Sequence, residues 1–416
     1  MRELVINGGN PLWGEVRLQG SKNASLPILA ATILTDEECI IHNCPDISDT
    51  WAAIDILKDF GIKVCRRGET VRVCSACMDG SIIRKELMQK MRSSVMFMGA
   101  VLAKRGETLI CHPGGCRLGD RPIDIHIKAL SELGARIEDV GECIYCELKE
   151  VKEDEIVLLY PSVGATENIM MMCAGSGKVV QIYNAAREPE IVDLQNFLNA
   201  MGADIQGAGT DIITIRGVKK LHGCEYTVMP DRVVAATIAC AAAVCSGEVY
   251  IKEAKEEHIR LVVQTLREVG CRICSDADGI RVVSKGDLNG INMIKTLPYP
   301  GFPTDAQPML GAVLTRCRGV SRISETIFDN RFCYLEELGK MGADTKICGT
   351  VAEIRGVDRL IGANVAAKDL RGGAALVVAG LAAEGITVVS GTEFIDRGYE
   401  KIETAFKEIG ANITRI

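Results

Sequence analysis

At 416 residues the chain exceeds the roughly 250–300 residues that one hydrophobic core usually serves, so two domains are expected. Its net charge of −7, with no basic block, argues against a nucleic-acid surface. No apolar run reaches the roughly 18 residues of a membrane span, and the start MRELVINGGNPLWGEV has no basic stretch leading into an apolar one, so a cytoplasmic protein without membrane attachment is expected.

In chain order, the first predicted element is an apolar helix in SKNASLPILAATIL, followed by an amphipathic segment ending in LKDFGIKV. The same succession returns five more times. Apolar helices are predicted in RSSVMFMGAVLAK, ATENIMMMCAG, DRVVAATIACAAAV, TDAQPMLGAVL and DLRGGAALVVAGLAAEG, and amphipathic ones lead into LSELGARIE, LNAMGADIQ, LREVGCRIC, LGKMGADTK and FKEIGANIT. The pivot glycines Gly61, Gly134, Gly202, Gly270, Gly342 and Gly410 are 73, 68, 68, 72 and 68 residues apart, which identifies one unit of about 70 residues repeated six times. A glycine just past a helix end predicts a left-handed C-cap. Alternating runs such as KVVQIYNA, DIITIRGV and GEVYIKEA predict half-buried strands, and the unit reads helix, strand, helix, strand, strand. The apolar helices are expected inside and the amphipathic ones, including EPEIVDLQNFLNAMG and DRGYEKIETAFKEIG, towards solvent.

The 18 cysteines are spread along a chain in which no signal peptide is expected, and they read as reduced thiols. Three C-x-x-C pairs, Cys74 with Cys77, Cys143 with Cys146 and Cys271 with Cys274, fall in segments that read as strands. Residues three apart on a strand point to opposite faces, and no paired histidine follows, so no metal site is expected.

Cations stand where helices are predicted to begin. Lys22, Arg92, Arg331, Arg371 and Arg397 each open such a segment, against a helix-dipole preference of about 0.3–1 kcal/mol. Any one alone reads as a solvated first-turn residue. Five together point to bound phosphate or carboxylate. Asp305, Asp231 and Asp396 sit where they read as N-terminal caps. The stretch HPGGCRLGDRP at 112–122 has the glycines and prolines of a flexible loop, and its Cys116 lies between Arg117 and Arg121, cations that favour a reactive thiolate.

GSKNA at 20–24, MRSS at 91–94, PGGCRLGDRPIDIH at 113–126, SVGATEN at 162–168, NAAREPEIVDL at 184–194, PGFPTDAQ at 300–307, ETIFDNRF at 325–332, LRGGAALVVAG at 370–380 and IDRGYE at 395–400 together cover nearly the whole chain. On these motifs the chain resembles the UDP-N-acetylglucosamine 1-carboxyvinyltransferases, the MurA branch of the enolpyruvyl transferase family. The resemblance implies a two-domain inside-out α/β barrel fold of six units, three per domain. Residues 1–21 with 230–416 would form one domain and residues 22–229 the other, the latter carrying the Cys116 loop as a lid. It further implies transfer of the enolpyruvyl group of phosphoenolpyruvate to the 3′-hydroxyl of UDP-N-acetylglucosamine with release of phosphate, the first committed step of peptidoglycan precursor synthesis, by a fosfomycin target active in cell-wall growth and division.

By the same resemblance Asp305 is the base, and Cys116 is the acid and the site of a covalent phosphoenolpyruvate adduct. Lys22, Arg92, Arg121, Arg331, Arg371 and Arg397 hold phosphate and carboxylate, with Lys22 and Arg397 also assigned to catalysis. Asn23 touches substrate. Arg121, Pro122, Ile123, Asp124 and Ile125 surround the uracil, Ser162, Val163 and Gly164 lie near the diphosphate, and Asp305 and Ile327 face the sugar. A serine followed by Val-Gly-Ala-Thr ahead of a helix makes physical sense as a backbone cradle for phosphate. No cofactor and no metal are implied, and the expected partners are the two small-molecule substrates, with no nucleic acid and no membrane; protein partners are left open.

The chain departs from the family pattern at Ser21, at Tyr160 and at Val233 to Ala236, and keeps every residue assigned to catalysis. Two other readings share the architecture. An enolpyruvylshikimate-phosphate synthase-like transferase would use the same cations but does not explain the PGGC loop, and a non-catalytic nucleotide-sugar-binding paralogue would be expected to lose Cys116 or Asp305.

Overall fold

The computed structural model describes residues 3–111 and 123–416. These divide into two compact units: a discontinuous unit of residues 3–19 and 230–416, and an inserted unit of residues 20–111 and 123–229. Each unit has its own apolar core. Among the described residues no helix is long and apolar enough to cross a membrane.

Among the described residues six four-stranded sheets form, three in each unit, and all six have the same order. One strand pairs in parallel with a second, which pairs antiparallel with a third, which pairs antiparallel with a fourth. In the sheet Ile294–Lys295, Val320–Ser324, Val351–Arg355 and Asp344–Cys348, for example, Ile294 faces Ile323 in parallel and Val320 faces Arg355 antiparallel. The expected three strands per unit are thus corrected to four. The missed one varies from five residues in Trp13–Arg17 to two in Ile82–Ile83 and Ile294–Lys295, and at two residues it is too brief for an alternating pattern to register.

Three sheets are closed by chain from far along the sequence, among them the one in which Trp13–Arg17 pairs in parallel with Glu248–Lys252. Leu4–Asn7 lies between Ile386–Ser390 and Ile413–Arg415, so the first strand of the chain completes the last repeat. Glu225–Thr227 pairs in parallel with Cys39–His42, joining the two ends of the inserted unit.

The six pivot glycines carry out the predicted role. All have positive φ, from 78° at Gly61 to 119° at Gly270. In each repeat the residue after the glycine donates its amide to a carbonyl five residues back, as Ile62 does to Leu57 and Cys271 to Leu266, the bond of a Schellman cap. An L-residue with a side chain would be strained in this conformation, which is why glycine recurs there.

The apolar helices are inside. All 13 residues of Arg232–Val244 are buried, and this helix packs against Gln307–Leu314 and Leu370–Ala382, which pack against each other. In the inserted unit Phe97–Arg105 packs against both Lys22–Ala31 and Val163–Ala174. Each fully buried Val, Leu or Ile contributes about 1.5–3 kcal/mol, so the unbroken apolar runs are what place helices within and sheets without. The inside-out α/β expectation is met.

Candidate active site

Three buried helices of the discontinuous unit begin near one another, and their first turns carry charge. Asp231 caps Arg232–Val244, its Oδ1 accepting from the amides of Val233 at 2.8 Å and Val234 at 3.1 Å. Asp369 caps Leu370–Ala382 in the same way through the amides of Arg371 and Gly372. Asp305 does not cap. The third helix, Gln307–Leu314, begins two residues later, and the Asp305 carboxylate instead receives Arg331 Nη2 on Oδ1 at 2.5 Å and Arg371 Nη2 on Oδ2 at 3.1 Å.

The side chains of Arg331 and Arg371 are only 2% and 3% exposed whereas that of Asp305 is 30% exposed, so the carboxylate is the member of this trio that reaches solvent. Arg331 is fixed further by two bonds from Nε and Nη2 to the Thr304 carbonyl, both 3.1 Å, and lies over the Phe328 ring. Arg371 lies over the Tyr399 ring, and its buried Nε and Nη1 have no hydrogen-bond acceptor among the described residues. Burial works against the charge of Arg371, but Asp305, with Tyr399 and Asp231, outweighs it and raises the guanidinium above its usual range. A guanidinium kept charged with two donors to spare is suited to an anionic ligand.

The backbone beside this trio is held by Glu325, a residue that sequence reasoning missed. Its buried carboxylate accepts from Thr296 Oγ1 and the amides of Ile327 and Phe328 on one oxygen, and from Thr304 Oγ1 on the other. Ile327 therefore owes its place to the same group that holds Thr304.

Arg331 and Arg397 are not at helix starts. Arg331 precedes the helix Cys333–Lys340 by two residues, and Arg397 lies in the turn after the short helix Thr392–Ile395. The following helix, Ile402–Glu408, begins only after Lys401, whose φ of 46° breaks the segment that reads as continuous. Gln19 clasps this turn, donating from Nε2 to the Gly398 carbonyl and accepting the Glu400 amide. Asp396 is no N-cap either; it pairs with Arg415 through both carboxylate oxygens.

In the inserted unit Lys22 does open a helix, Lys22–Ala31, with Asn23 next to it. The cap is Ser21, whose Oγ accepts the Ala24 amide at 3.3 Å, which accounts for serine at this position. Lys22 Nζ is 2.9 Å from Oδ2 of Asp49, a carboxylate only 2% exposed, in the first turn of Ser48–Asp59. Ser162 caps Val163–Ala174, its Oγ taking the Ala165 amide, so the amides of Val163 and Gly164 have no intrahelical acceptor. Beside them a Cβ on Gly164 would lie 2.8 Å from His126 Cε1. Tyr160, two residues before this cap, is 40% exposed.

His126 belongs to Asp124–Glu132, a helix that Ile123 precedes and that also carries Ile125. Asn168 Nδ2 donates to His126 Nδ1 at 2.9 Å and to the Val95 carbonyl at 3.1 Å, while Asn168 Oδ1 accepts the Gly99 amide. Burial lowers the His126 pKa to about 4, so the ring is neutral and accepts at Nδ1. Arg92 opens a 3₁₀ turn, Arg92–Met96, and the apolar helix proper starts at Phe97. Cys116, Arg121, Pro122 and the side chain of Arg92 lie outside the described residues.

Of the C-x-x-C pairs only Cys143 and Cys146 share a strand, Cys143–Glu147. Cys77 lies in a turn past Thr70–Cys74, and Cys271 precedes Arg272–Ser275. Among the described residues no group of three or more His, Cys, Asp or Glu is placed to hold a metal ion.

The family described as EPSP synthase (3-phosphoshikimate 1-carboxyvinyltransferase) matches residues 6–406. Over the whole of both chains the protein is 52% identical to UDP-N-acetylglucosamine 1-carboxyvinyltransferase 2 of Caldanaerobacter subterraneus subsp. tengcongensis. The chain belongs to the UDP-N-acetylglucosamine 1-carboxyvinyltransferase family. Another member, UDP-N-acetylglucosamine 1-carboxyvinyltransferase 1 of Carboxydothermus hydrogenoformans, is 46% identical over all of this chain and 99% of its own. Among solved structures the enolpyruvyl transferase NikO from Streptomyces tendae has a TM-score of 0.88 at 24% identity, covering 100% of this chain and 98% of its own. EPSP synthase from Acinetobacter baumannii has a TM-score of 0.77 at 17% identity with both chains fully covered. At those identities the two structures speak for the fold that the 1-carboxyvinyltransferase family shares with them.

Proposed function

We propose that the protein transfers the enolpyruvyl group of phosphoenolpyruvate to the 3′-hydroxyl of UDP-N-acetylglucosamine, releasing phosphate, a reading in keeping with relatives named UDP-N-acetylglucosamine 1-carboxyvinyltransferase. In the cell this is a cytoplasmic step that supplies peptidoglycan precursor for wall growth and division. The observation that carries the reading is the solvent-reaching Asp305 carboxylate gripped by two buried arginines. Two ion pairs hold its oxygens in one orientation and keep it ionised, so that the carboxylate is unprotonated and aimed when the hydroxyl arrives. Residues 1–21 with 230–416 and residues 22–229 are read as the two domains of this enzyme.

In the reaction, an acid gives a proton to the methylene carbon of phosphoenolpyruvate, and the adjacent carbon becomes cationic. The sugar hydroxyl, losing its proton to Asp305, forms a C–O bond there. The tetrahedral intermediate then expels phosphate by breaking the other C–O bond and gives up a methyl proton to restore the double bond. Cys116 is the proposed acid and the proposed site of a covalent adduct. Lys22, Arg92, Arg121, Arg331, Arg371 and Arg397 supply the field for phosphate and carboxylate, with Arg371 favoured by its spare donors. Asn23 contacts substrate. Residues 121–125 hold the uracil, the amides at the start of Val163–Ala174 the diphosphate, and Ile327 the sugar.

The test is phosphate release from phosphoenolpyruvate by the purified protein with either UDP-N-acetylglucosamine or shikimate 3-phosphate as acceptor. Release with the nucleotide sugar alone is expected. Release with shikimate 3-phosphate alone would overturn the acceptor, and silence with both would favour a non-catalytic binding protein. Cys116→Asp is expected to keep turnover and escape alkylation by fosfomycin, since a carboxylic acid delivers the same proton without a nucleophilic sulfur.

A further inference from the structure

The two residues assigned to the sugar, Asp305 and Ile327, are 22 residues apart in sequence and are fastened by one buried group. Glu325 is 3% exposed, and its carboxylate takes four hydrogen bonds: Thr296 Oγ1 at 2.9 Å, the Ile327 amide at 2.8 Å and the Phe328 amide at 3.2 Å on Oε1, and Thr304 Oγ1 at 3.0 Å on Oε2. Thr304 adjoins Asp305 and offers its carbonyl to Arg331, which holds Asp305 from the other side. The Thr296 hydroxyl in turn accepts the Thr326 amide at 2.9 Å. We infer that Glu325 is a positioning residue for the acceptor sugar, setting the distance between the Ile327 backbone and the Asp305 carboxylate. The inference rests on the transferase reading above.

A carboxylate suits this place because all four partners donate to it, the two backbone amides being unable to do anything else. In Glu325→Gln the amide nitrogen faces either those two amides, which it cannot serve, or the Thr304 hydroxyl, which must then turn from donor to acceptor and give up a charge-assisted bond for a neutral one. The expected result is a rise of about tenfold in KM for UDP-N-acetylglucosamine with KM for phosphoenolpyruvate within about twofold of the wild type, the size set by one weakened buried hydrogen bond. Thr304→Val removes one donor and leaves the carboxylate in place, so it should move the same constant in the same direction by a smaller factor; it is the variant to use if Glu325→Gln folds poorly. KM for the nucleotide sugar unchanged in both variants, or both substrates affected equally, would overturn the inference. The wild type assayed alongside separates this outcome from failure of the transferase reading itself, in which case it too would show no acceptor-dependent phosphate release.

A second inference rests on different atoms. Cys111 and Cys143 face each other across the antiparallel pair Glu107–Cys111 and Cys143–Glu147, with Sγ to Sγ 2.9 Å and both side chains partly exposed. Residues directly opposed on antiparallel strands have Cα atoms about 4.5–5.5 Å apart, inside the range a disulfide spans. We propose that this dithiol is a modification site, oxidised to an intramolecular disulfide by a low-molecular-weight disulfide. One thiolate attacks the small disulfide and releases a small thiol; the second displaces the other small thiol from the mixed disulfide. Two electrons and two protons pass from the cysteine pair to the two thiols released.

The experiment exposes the full-length protein to oxidised glutathione, alkylates the remaining thiols and maps the peptides. Cys111 and Cys143 are both expected to disappear from the alkylatable thiols and to appear in one linked peptide pair. In Cys111→Ser the link should vanish and Cys143 should carry glutathione. The proposal fails if both cysteines stay alkylatable after the exposed Cys65 and Cys77 have reacted, or if only another pair links.

Discussion

The discontinuous and inserted units repeat one backbone plan three times each but finish their buried helices differently. In the discontinuous unit, two of the three helix starts are capped by aspartates, Asp231 and Asp369, each taking two amides. In the inserted unit, two are capped by serines, Ser21 and Ser162. An anionic cap satisfies a helix dipole from within the protein, while a hydroxyl satisfies one amide and leaves the positive end available. The aspartate-capped unit accordingly affords two fully buried arginines and a carboxylate that reaches solvent. The serine-capped unit presents Lys22 and the first amides of Val163–Ala174, features suited to phosphate. One fold thus supports two kinds of electrostatics by changing one residue per helix.

The comparison breaks most visibly at Arg371. Replacing it with leucine removes one of the two arginines paired with Asp305 among the described residues and should cost about 3 kcal/mol of stability and at least about 100-fold in turnover. Denaturant midpoints and steady-state rates measure both, and a stable, active Arg371→Leu would refute the claim that this pair orients the carboxylate. In the inserted unit, Asp49→Asn should weaken the hold on Lys22 and reduce kcat/KM for phosphoenolpyruvate by about tenfold, read from initial rates. An unchanged value would detach Asp49 from Lys22 function.

A pH experiment sharpens the contrast further. Burial lowers His126 from 6.5 to about 4, so the unfolded chain takes up a proton before the folded one does. The stability contributed by the neutral ring is complete above pH 6.5 and is lost as pH falls towards 4, by about 3 kcal/mol at most. His258, in the discontinuous unit, is lowered to about 4 by burial as well and by the nearby Lys255. His126→Gln should therefore flatten, without abolishing, the decline in unfolding free energy over this range; an unaltered decline would contradict the neutral, buried assignment. The smallest effect belongs to a pivot. A Cβ on Gly342 meets nothing within 4 Å, so Gly342→Ala isolates the strain of φ +89° and should cost about 1 kcal/mol in thermal unfolding, without loss of activity.

The repeat was legible because its marker is local: a glycine with positive φ four residues beyond a buried Leu or Phe is written in consecutive residues. The inside position of the apolar helices was legible for the same reason. The fourth strand was not, because a two-residue parallel strand such as Ile294–Lys295 has neither period nor turn chemistry of its own. Nor was the break before Ile402, where DRGYEKIETAF keeps helical periodicity through a left-handed Lys401. At the site, motif resemblance picked out Asp305, Arg331 and Arg371, whereas the links from Glu325 to Thr304, Asp49 to Lys22 and Gln19 to Gly398 span 21, 27 and 379 residues and leave no local pattern. Asp305 reads as a cap from its neighbours, and only the tertiary approach of two arginines shows that its carboxylate is otherwise engaged.

The most direct test of the account is phosphate release by Asp305→Asn with phosphoenolpyruvate and UDP-N-acetylglucosamine, with nucleotide-sugar binding measured on the same preparation. The amide keeps the shape of the carboxylate but cannot act as the base, so turnover should fall by about 100-fold or more while binding of the nucleotide sugar remains detectable. Turnover at the wild-type rate would contradict the assignment of Asp305 and with it the central reading of the site.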